Sequence, residues 1–147
     1  MRLYIDLSCF NRPFDDQSQE RIRRETEAIF GILTRVTEGQ DTLIWSWVLS
    51  FENAKHPRAD RKEEIALWEA RSQSVIEWNP ATEERARLSE RRGIPALDAA
   101  HLASAEAGGA EIFLTCDDDV VRRTRRLKLA LRVLNPVSYW AEVTTDG

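Results

Sequence analysis

Short apolar segments alternate with charged, helix-patterned segments along this chain, and that alternation limits its fold more than any other feature. β-Branched and aromatic residues predict strands at residues 2–6, 42–49, 75–78, 111–115 and 131–134. Apolar residues at helical spacing predict helices at residues 17–36, 50–55, 60–72, 82–92, 97–106 and 117–128, and a terminal helix around Tyr139. Residues 11–15 predict a loop, and residues 144–147 are expected to fray. Alternating strands and helices form parallel sheets with right-handed crossovers, so we predict an α/β fold.

The chain length of 147 residues and the lack of a linker or internal repeat favour one domain over residues 1–147. No apolar run approaches the roughly 20 residues that cross a bilayer. Asp6 interrupts the apolar stretch at the N-terminus, which argues against a secretory signal. We therefore expect a cytoplasmic protein that does not bind membranes. The net charge of −4 argues against a uniformly basic surface for duplex binding, although it allows a local basic patch.

Four acidic residues stand where predicted elements meet, at positions that offer folding no obvious benefit. Asp6 ends the first predicted strand, and Asp117 follows the fourth. Glu52 and Asp98 lie at predicted helix starts. Open parallel sheets bind ligands at the carboxyl ends of their strands, so these four carboxylates could share one crevice. Clustered carboxylates raise one another's pKa, and a bound cation relieves their repulsion.

The cation that such a site favours is Mg²⁺ or Mn²⁺, because carboxylate oxygens are hard ligands. Cys9 and Cys116 are the only cysteines, and the sequence has no CxxC pair or Cys/His cluster that would favour zinc. Two such cysteines in a cytosolic protein are more often buried thiols than a bridge. Bound Mg²⁺ or Mn²⁺ supports phosphoryl transfer by activating water and by stabilising charge on the phosphate.

Each acid also has an ordinary structural explanation when it is considered alone. Asp6 could be a turn residue, and Glu52 could simply occupy the first turn of a helix. Asp98 and Asp117 could cap helices. His101 shares a helix face with Asp98, and a hydrogen-bonded, partly buried histidine is favoured there over a ligand or catalytic role. The residue positions alone therefore leave an acidic metal site as one of several interpretations.

Four segments carry a more specific pattern, namely YIDLSCF, SWVLSFENA, ALDAAHLASAEAGGAEIFLTCDDD and VLNPVSYW. The first is a strand that ends in Asp6 and is followed by a hydroxyl residue, Ser8. The second contains Glu52, and the third contains Asp98 and a Thr-x-Asp triplet that ends at Asp117. These segments span nearly the whole chain and resemble the PIN domain family, which includes the VapC-like toxins of bacterial toxin–antitoxin pairs.

The resemblance implies a three-layer α/β/α sandwich with a parallel sheet of about five strands. It also implies a Mg²⁺- or Mn²⁺-dependent endoribonuclease that cleaves single-stranded RNA, with a small antitoxin as partner and a homodimeric assembly. By their positions in the family's motifs, the catalytic and metal-binding acids would be Asp6, Glu52, Asp98 and Asp117, with Asp119 as a further metal contact. In this scheme Glu52 binds the metal directly or through water. Ser8 and Thr115 would orient the carboxylates.

The basic residues that could contact RNA are Arg12, Arg122, Arg123 and Arg126. The last three follow Asp117 and could steer an RNA backbone toward the acids, although a solvated helix face is the slightly favoured alternative. Arg12 could contact a phosphate, or it could pair with Asp15 or Asp16.

Several functions are compatible with these features, and a ribonuclease toxin is the first of them. A PIN-fold module that binds RNA or protein without cleavage is an alternative, against which the complete set of acids argues. A stand-alone housekeeping RNase is another, because residues 11–25 resemble a branch of the family whose members often lack an obvious antitoxin. A phosphatase on a different α/β fold is disfavoured, because Ser8 stands where an aspartyl-phosphate enzyme would need a second Asp.

Overall fold

The computed structural model describes residues 1–145, and all elements named below lie within that range. The strands are β1 (Arg2–Ile5), β2 (Thr42–Ser46), β3 (Ser74–Ile76), β4 (Ile112–Leu114) and β5 (Arg132–Leu134). The helices are α1 (Leu7–Asn11), α2 (Glu20–Thr37), α3 (Trp47–Asn53), α4 (Ala59–Ala70), α5 (Pro80–Arg91), α6 (Ala96–Ala107), α7 (Asp118–Thr124) and α8 (Pro136–Thr145). A 3₁₀ turn at Arg12–Phe14 follows α1.

The strands form one parallel sheet in the order β3-β2-β1-β4-β5. The chain builds outward from β1 through β2 to β3, and then returns to add β4 and β5 on the other side of β1. In register, Tyr4 of β1 lies between Ile44 of β2 and Phe113 of β4. The winding direction therefore reverses between β1 and β4, which is where open parallel sheets bind their ligands.

Helices cover both faces of the sheet. Successive strand residues point to opposite faces, so neighbouring residues of β1 contact different helices. The ring of Tyr4 packs edge-on against His101 of α6, whereas Ile5 lies with Ile29 and Ile32 of α2 around a small apolar void. Because β1 is buried on both faces, its sequence is a nearly unbroken apolar run. The predicted α/β/α arrangement with a five-stranded parallel sheet is confirmed for the described part of the chain.

Helices α2 and α8 pack closely where one residue is glycine. A Cβ atom at Gly31 would lie 2.6 Å from Cζ2 of Trp140, so a larger residue would meet the indole ring. The neighbouring residue, Tyr139, donates its hydroxyl to buried Asp41 (2.9 Å), which also accepts from Nε of Arg35 on α2 (2.9 Å). These contacts tie α8 to α2 and to the start of β2.

The second predicted strand is too long. The strand β2 ends at Ser46, whose hydroxyl accepts a hydrogen bond from the Leu49 amide (3.1 Å) and caps α3. Trp47 is therefore the first residue of a helix, and it is 49% exposed. Because α3 runs on to Asn53, the expectation that Glu52 lies at a helix start is wrong, and Glu52 is in the last turn instead.

Residues 11–15, predicted as a loop, instead contain the end of α1 and the 3₁₀ turn. The side-chain amide of Gln17 stabilises this turn by donating to the carbonyls of Arg12 (3.1 Å) and Asp15 (3.0 Å). The helix predicted at residues 117–128 ends early, at Thr124. The chain turns after Thr124, and Leu127 packs against the core.

The fraying expected at residues 144–147 is wrong for Thr144 and Thr145, which belong to α8, and its last two residues lie outside the described range. Thr145 donates its hydroxyl to the Ala141 carbonyl (2.7 Å), which supports the last helical turn. None of the helices within residues 1–145 combines the length and apolar character that a bilayer crossing requires.

Candidate active site

The predicted acids gather at the carboxyl edge of the sheet, where the winding reverses between β1 and β4. Asp6 directly follows β1, and its amide donates to the carbonyl of Leu114 at the end of β4 (2.9 Å). Thr115 directly follows β4, and its amide donates to the Leu134 carbonyl (3.0 Å). These backbone bonds place the segment that carries Asp117 beside the segment that follows β1.

Two hydroxyl groups hold the carboxylate of Asp6. Its Oδ2 atom accepts hydrogen bonds from Ser8 (2.8 Å) and from Thr115 (3.1 Å). The same hydroxyl oxygens accept from backbone amides, namely Ser8 from Cys116 (3.2 Å) and Thr115 from Asp117 (3.1 Å). Because each hydroxyl oxygen is occupied by an amide, its proton is directed at Asp6. The structure thus places Ser8 and Thr115 where the resemblance implied that they would orient a carboxylate.

His101 connects Glu52 to the sheet. Its Nε2 atom lies 2.8 Å from Oε1 of Glu52, and its Nδ1 atom lies 2.7 Å from the hydroxyl of Tyr4. That hydroxyl in turn lies 2.6 Å from the hydroxyl of Ser46, which caps α3. Burial alone would lower the pKa of His101, but hydrogen bonding to Glu52 and the nearby charges of Asp6 and Glu52 outweigh burial and raise it.

The sequence prediction for His101 was a hydrogen-bonded, partly buried side chain. The side chain is hydrogen-bonded through both ring nitrogens, but it is more buried than predicted, at 1% exposure. Its contact with Glu52 was missed, because the two residues are 49 positions apart and only the packing of α3 on α6 joins them. The sequence signal was limited to the spacing between His101 and Asp98.

Asp98 lies within the electrostatic influence of the other three acids. It lies in the first turn of α6, is partly buried, and has a pKa raised to about 6. Burial is the largest cause, and the negative charges of Asp6, Asp117 and Glu52 add to it, while His101 opposes them. All four predicted acids therefore share one electrostatic environment, although they come from four separate segments of the chain.

Asp117 does cap a helix, as its alternative interpretation proposed. Its Oδ1 atom accepts a hydrogen bond from the Asp119 amide (2.9 Å) at the start of α7. Asp117 is solvent-exposed, and its second carboxylate oxygen is not needed for the cap. The carboxylate of Asp119 pairs with Arg122 on the exposed side of α7. Capping and metal binding are therefore compatible for Asp117, and the pair with Arg122 uses only the Oδ1 atom of Asp119.

The two cysteines lie behind these loops as buried, unbonded thiols. Their sulfur atoms are 3.8 Å apart. Burial is the main cause that raises the pKa of Cys9 well above its ordinary value, and the neighbouring Cys116 thiol raises it further. The prediction of thiols instead of a bridge agrees with this arrangement.

The residues present fit a divalent cation that prefers oxygen ligands. Potential ligand atoms of Asp6, Glu52 and His101 lie within 4.8 Å of one another. Both ring nitrogens of His101 already have partners in Glu52 and Tyr4, so the atoms left for a metal are carboxylate oxygens. The raised pKa of Asp98 shows that negative charge accumulates beside this group. This donor set matches Mg²⁺ or Mn²⁺ better than zinc.

The predicted RNA-binding arginines have different partners and border different hollows. Arg122 pairs with Asp119, and Arg123 donates to the carbonyl of Gly93 (2.8 Å). Arg126 lies beyond the end of α7 and borders a different hollow, formed with residues of α5. Arg12 is the member that borders the same open hollow as Asp117. Burial alone would lower the pKa of Arg12, but the Cys116 thiol and the adjacent carboxylates outweigh burial and raise it.

Fold and site together define a class of α/β proteins in which a carboxylate cluster lies at the winding reversal of a parallel sheet. The family model for the PIN domain matches residues 3–127. The protein therefore belongs to the PIN domain family, whose members are typically nucleases, and the resemblance seen in the sequence is confirmed. No curated protein sequence matches the chain.

Several solved structures have a similar fold. VapBC2 from Rickettsia felis, bound to a DNA fragment from their promoter, is similar with a TM-score of 0.60 and 13% identity over 92% of this chain and 98% of that one. FitAcB from Neisseria gonorrhoeae has a TM-score of 0.57 and 14% identity over 91% and 97% of the two chains. VapBC-1 from nontypeable Haemophilus influenzae has a TM-score of 0.57 and 15% identity over 92% and 98%. At these identities the likeness shows the fold.

Proposed function

We propose that this protein is a Mg²⁺- or Mn²⁺-dependent endoribonuclease that cleaves single-stranded RNA as the VapC-like toxin of a toxin–antitoxin pair, with residues 1–147 as one nuclease domain. The observation that carries this proposal is the convergence of Asp6, Glu52 and His101, whose potential ligand atoms lie within 4.8 Å of one another. Asp98 lies beside them, and burial and the charges of Asp6 and Asp117 raise its pKa to about 6. Mutually repelling carboxylates from separate loops make a poor folding device but a suitable metal site.

The residues that would hold the metal are Asp6, Glu52, Asp98 and Asp117, with Asp119 as a further contact. When bound, Mg²⁺ or Mn²⁺ would supply Lewis-acid chemistry, which activates water and stabilises charge on the phosphate. Ser8 and Thr115 would keep one oxygen of Asp6 fixed, so that its other oxygen, Oδ1, stays directed into the crevice. His101 would hold Glu52 in the same way, through Nε2.

The partner that we propose is a small antitoxin, because the similar solved structures are VapBC complexes. An apolar groove of about 640 Å³ lies between α2, α4 and the 3₁₀ turn, and its lining includes Phe10, Phe14, Phe30, Leu33 and Trp68. Phe30 is 56% exposed in this groove, and a contiguous apolar surface of this kind often marks a protein interface. An apolar segment of the antitoxin would fit there. The homodimer and the cytoplasmic location remain predictions.

The experiment that tests the nuclease proposal is cleavage of a labelled single-stranded RNA in Mg²⁺, Mn²⁺ or EDTA. We expect metal-dependent cleavage by the wild type and at least a hundredfold slower cleavage by Asp6→Asn and Asp98→Asn, since each removes a metal ligand. Asp60→Asn is the matched control, because it makes the same chemical change at an exposed site on α4.

Two other outcomes would select the alternatives. A folded wild type that binds RNA but neither cleaves it nor binds Mn²⁺ in calorimetry would be an interaction module. Cleavage that is normal in all the variants would place the active site elsewhere. If cleavage is confirmed but no antitoxin-sized reading frame adjoins the gene, the stand-alone housekeeping RNase becomes the better description.

A further inference from the structure

A buried carboxylate lies behind the rim of the proposed site and contacts two arginines. Glu25 of α2 is 1% exposed. Its Oε1 atom lies 3.1 Å from Nε of Arg12, and its Oε2 atom lies 3.6 Å from Nε of Arg21. Asn135 also donates to Oε2 (2.6 Å). Burying a charged group is costly unless it is paired, so Glu25 is retained in the interior by the arginines that it contacts.

Arg12 is fixed on several sides but keeps donors free. Its Nη1 atom donates to Asp15 (3.0 Å), and its backbone carbonyl accepts from the side chains of Gln17 (3.1 Å) and Thr26 (3.4 Å). Its side chain is 21% exposed. Among contacts within residues 1–145, Nη2 of Arg12 makes no hydrogen bond. Nε of Arg12 and Oε1 of Glu25 are close to each other, but neither atom makes a hydrogen bond of good geometry. The guanidinium is therefore held in place with donor capacity left over.

Arg21 lies in the first turn of α2 and borders the same hollow as Arg12. Both of its terminal nitrogens donate to the carboxylate of Asp118 (2.8 Å each), in the two-point geometry that a phosphate would adopt. The open hollow of about 430 Å³ is lined by Arg12, Arg21, Cys116 and Asp117, among others. The side chains of Arg21 and Asp118 are 55% and 66% exposed, so their pair is weak and an incoming anion can replace it.

We propose that Arg12 and Arg21 form a phosphate-binding pair for the RNA strand where it passes Asp117, and that Glu25 is a positioning residue that aims both arginines. This inference rests on the proposed ribonuclease function and deepens it, since it names the contact to a backbone phosphate beside the acids. Guanidinium groups match phosphate oxygens with paired N–H donors. Fixed positive charge next to the acid cluster also offsets the repulsion between that cluster and RNA.

The test is the salt dependence of binding to a fluorescein-labelled single-stranded RNA, measured by anisotropy. Ca²⁺ replaces Mg²⁺, and a gel checks that the strand stays intact. Each phosphate contact on a single strand contributes about 0.7 to the slope of log K against log salt. We expect Arg12→Gln to lower the slope by about that amount and to weaken binding about tenfold. Arg23→Gln makes the same charge change on the exposed face of α2 and should alter neither quantity.

Glu25→Gln separates positioning from general electrostatics. The substitution removes a negative charge, so general electrostatics predicts tighter RNA binding. If Glu25 aims the arginines, the variant binds RNA more weakly, and most of that loss disappears in the Arg12→Gln background because the shared interaction is already gone. Thermal unfolding shows whether the variant folds. If it does not, Arg12→Lys decides the issue, since it keeps the charge but loses the fork and should still weaken binding several-fold.

The outcomes distinguish this inference from the function on which it rests. A wild type that cleaves RNA, with unchanged salt slopes in both Arg12→Gln and Arg21→Gln, would overturn the inference and leave the ribonuclease intact. A wild type that does not cleave, but whose RNA binding depends on Arg12 as described, would support the inference and overturn the ribonuclease. Absence of both cleavage and binding would overturn both.

Discussion

The burial of Asp98 and the repulsion among the acids predict that removing this carboxylate stabilises the metal-free protein. Asp98 has a pKa of about 6 in the folded protein, against an ordinary value of 3.8. A raised folded pKa means that the unfolded chain releases this proton more readily, so the folded state loses stability as pH rises from about 4 to 6. The shift of about two pKa units corresponds to an upper limit of about 3 kcal/mol. Because Asp98 is only partly buried, solvent screening reduces this to about 1–2 kcal/mol.

The perturbation is Asp98→Asn, and the assay is urea unfolding in EDTA at pH 4 and pH 7.5. At pH 4 the wild-type carboxyl is protonated and resembles the amide, so we expect the two proteins to be similarly stable. At pH 7.5 the variant should be more stable by about 1–2 kcal/mol. Mn²⁺ should then stabilise the wild type more than the variant. A variant that is equally or less stable than the wild type at pH 7.5, relative to pH 4, would refute the argument that burial and the neighbouring acids destabilise the ionised form of Asp98.

Three further predictions concern positions around the site and in the helical layers. Gly31→Ala gains helix propensity worth about 1 kcal/mol, but it drives a methyl group into Trp140, so we expect a net loss of about 1–2 kcal/mol in urea unfolding that Trp140→Leu partly rescues. Thr115→Val removes a hydrogen bond to Asp6 without changing side-chain size and should lower kcat about ten- to a hundredfold, with thermal unfolding as the control for folding. Asp41 loses solvation on burial, but its bonds to Arg35 and Tyr139 outweigh this and lower its pKa, so its stabilising effect is present above pH 4 and is lost as pH falls through the lowered pKa. Asp41→Asn should therefore destabilise the protein by about 3 kcal/mol at pH 7, and unfolding at pH 3 should show a smaller difference between the two proteins.

Two element boundaries were predicted wrongly because a side-chain hydrogen bond, which hydrophobic periodicity does not reveal, determines where the element ends. The strand β2 stops at Ser46 because a hydroxyl caps the following helix, although the apolar run continues through Trp47. The turn after α1 is ordered by Gln17, whose amide binds carbonyls that a loop would leave to water. In both places hydrophobic patterning gave the wrong boundary because hydrogen bonds, and not apolar burial, end the element.

In the candidate site, the sequence pattern indicated which residues take part, and the packing of the sheet brought them together. Asp6 and Asp117 were recognisable as residues that follow strands, and Ser8 and Thr115 as hydroxyl residues near them. The contacts that join the two segments span more than 100 positions, such as the bond from Thr115 to Asp6, and arise because β1 and β4 are neighbours in the sheet. No local pattern specifies which strands become neighbours.

The sequence by itself determined the class of fold, the strand ends at which acids would collect, and the resemblance to the PIN domain family. These features follow from hydrophobic periodicity and from motif residues, which are local properties of the chain. Only the tertiary structure decided that His101 holds Glu52, that four acids share one electrostatic environment, and that buried Glu25 contacts two arginines beside them. Those relations depend on distances between side chains brought together by the strand order, and the strength of each electrostatic interaction depends on how far water is excluded from between them.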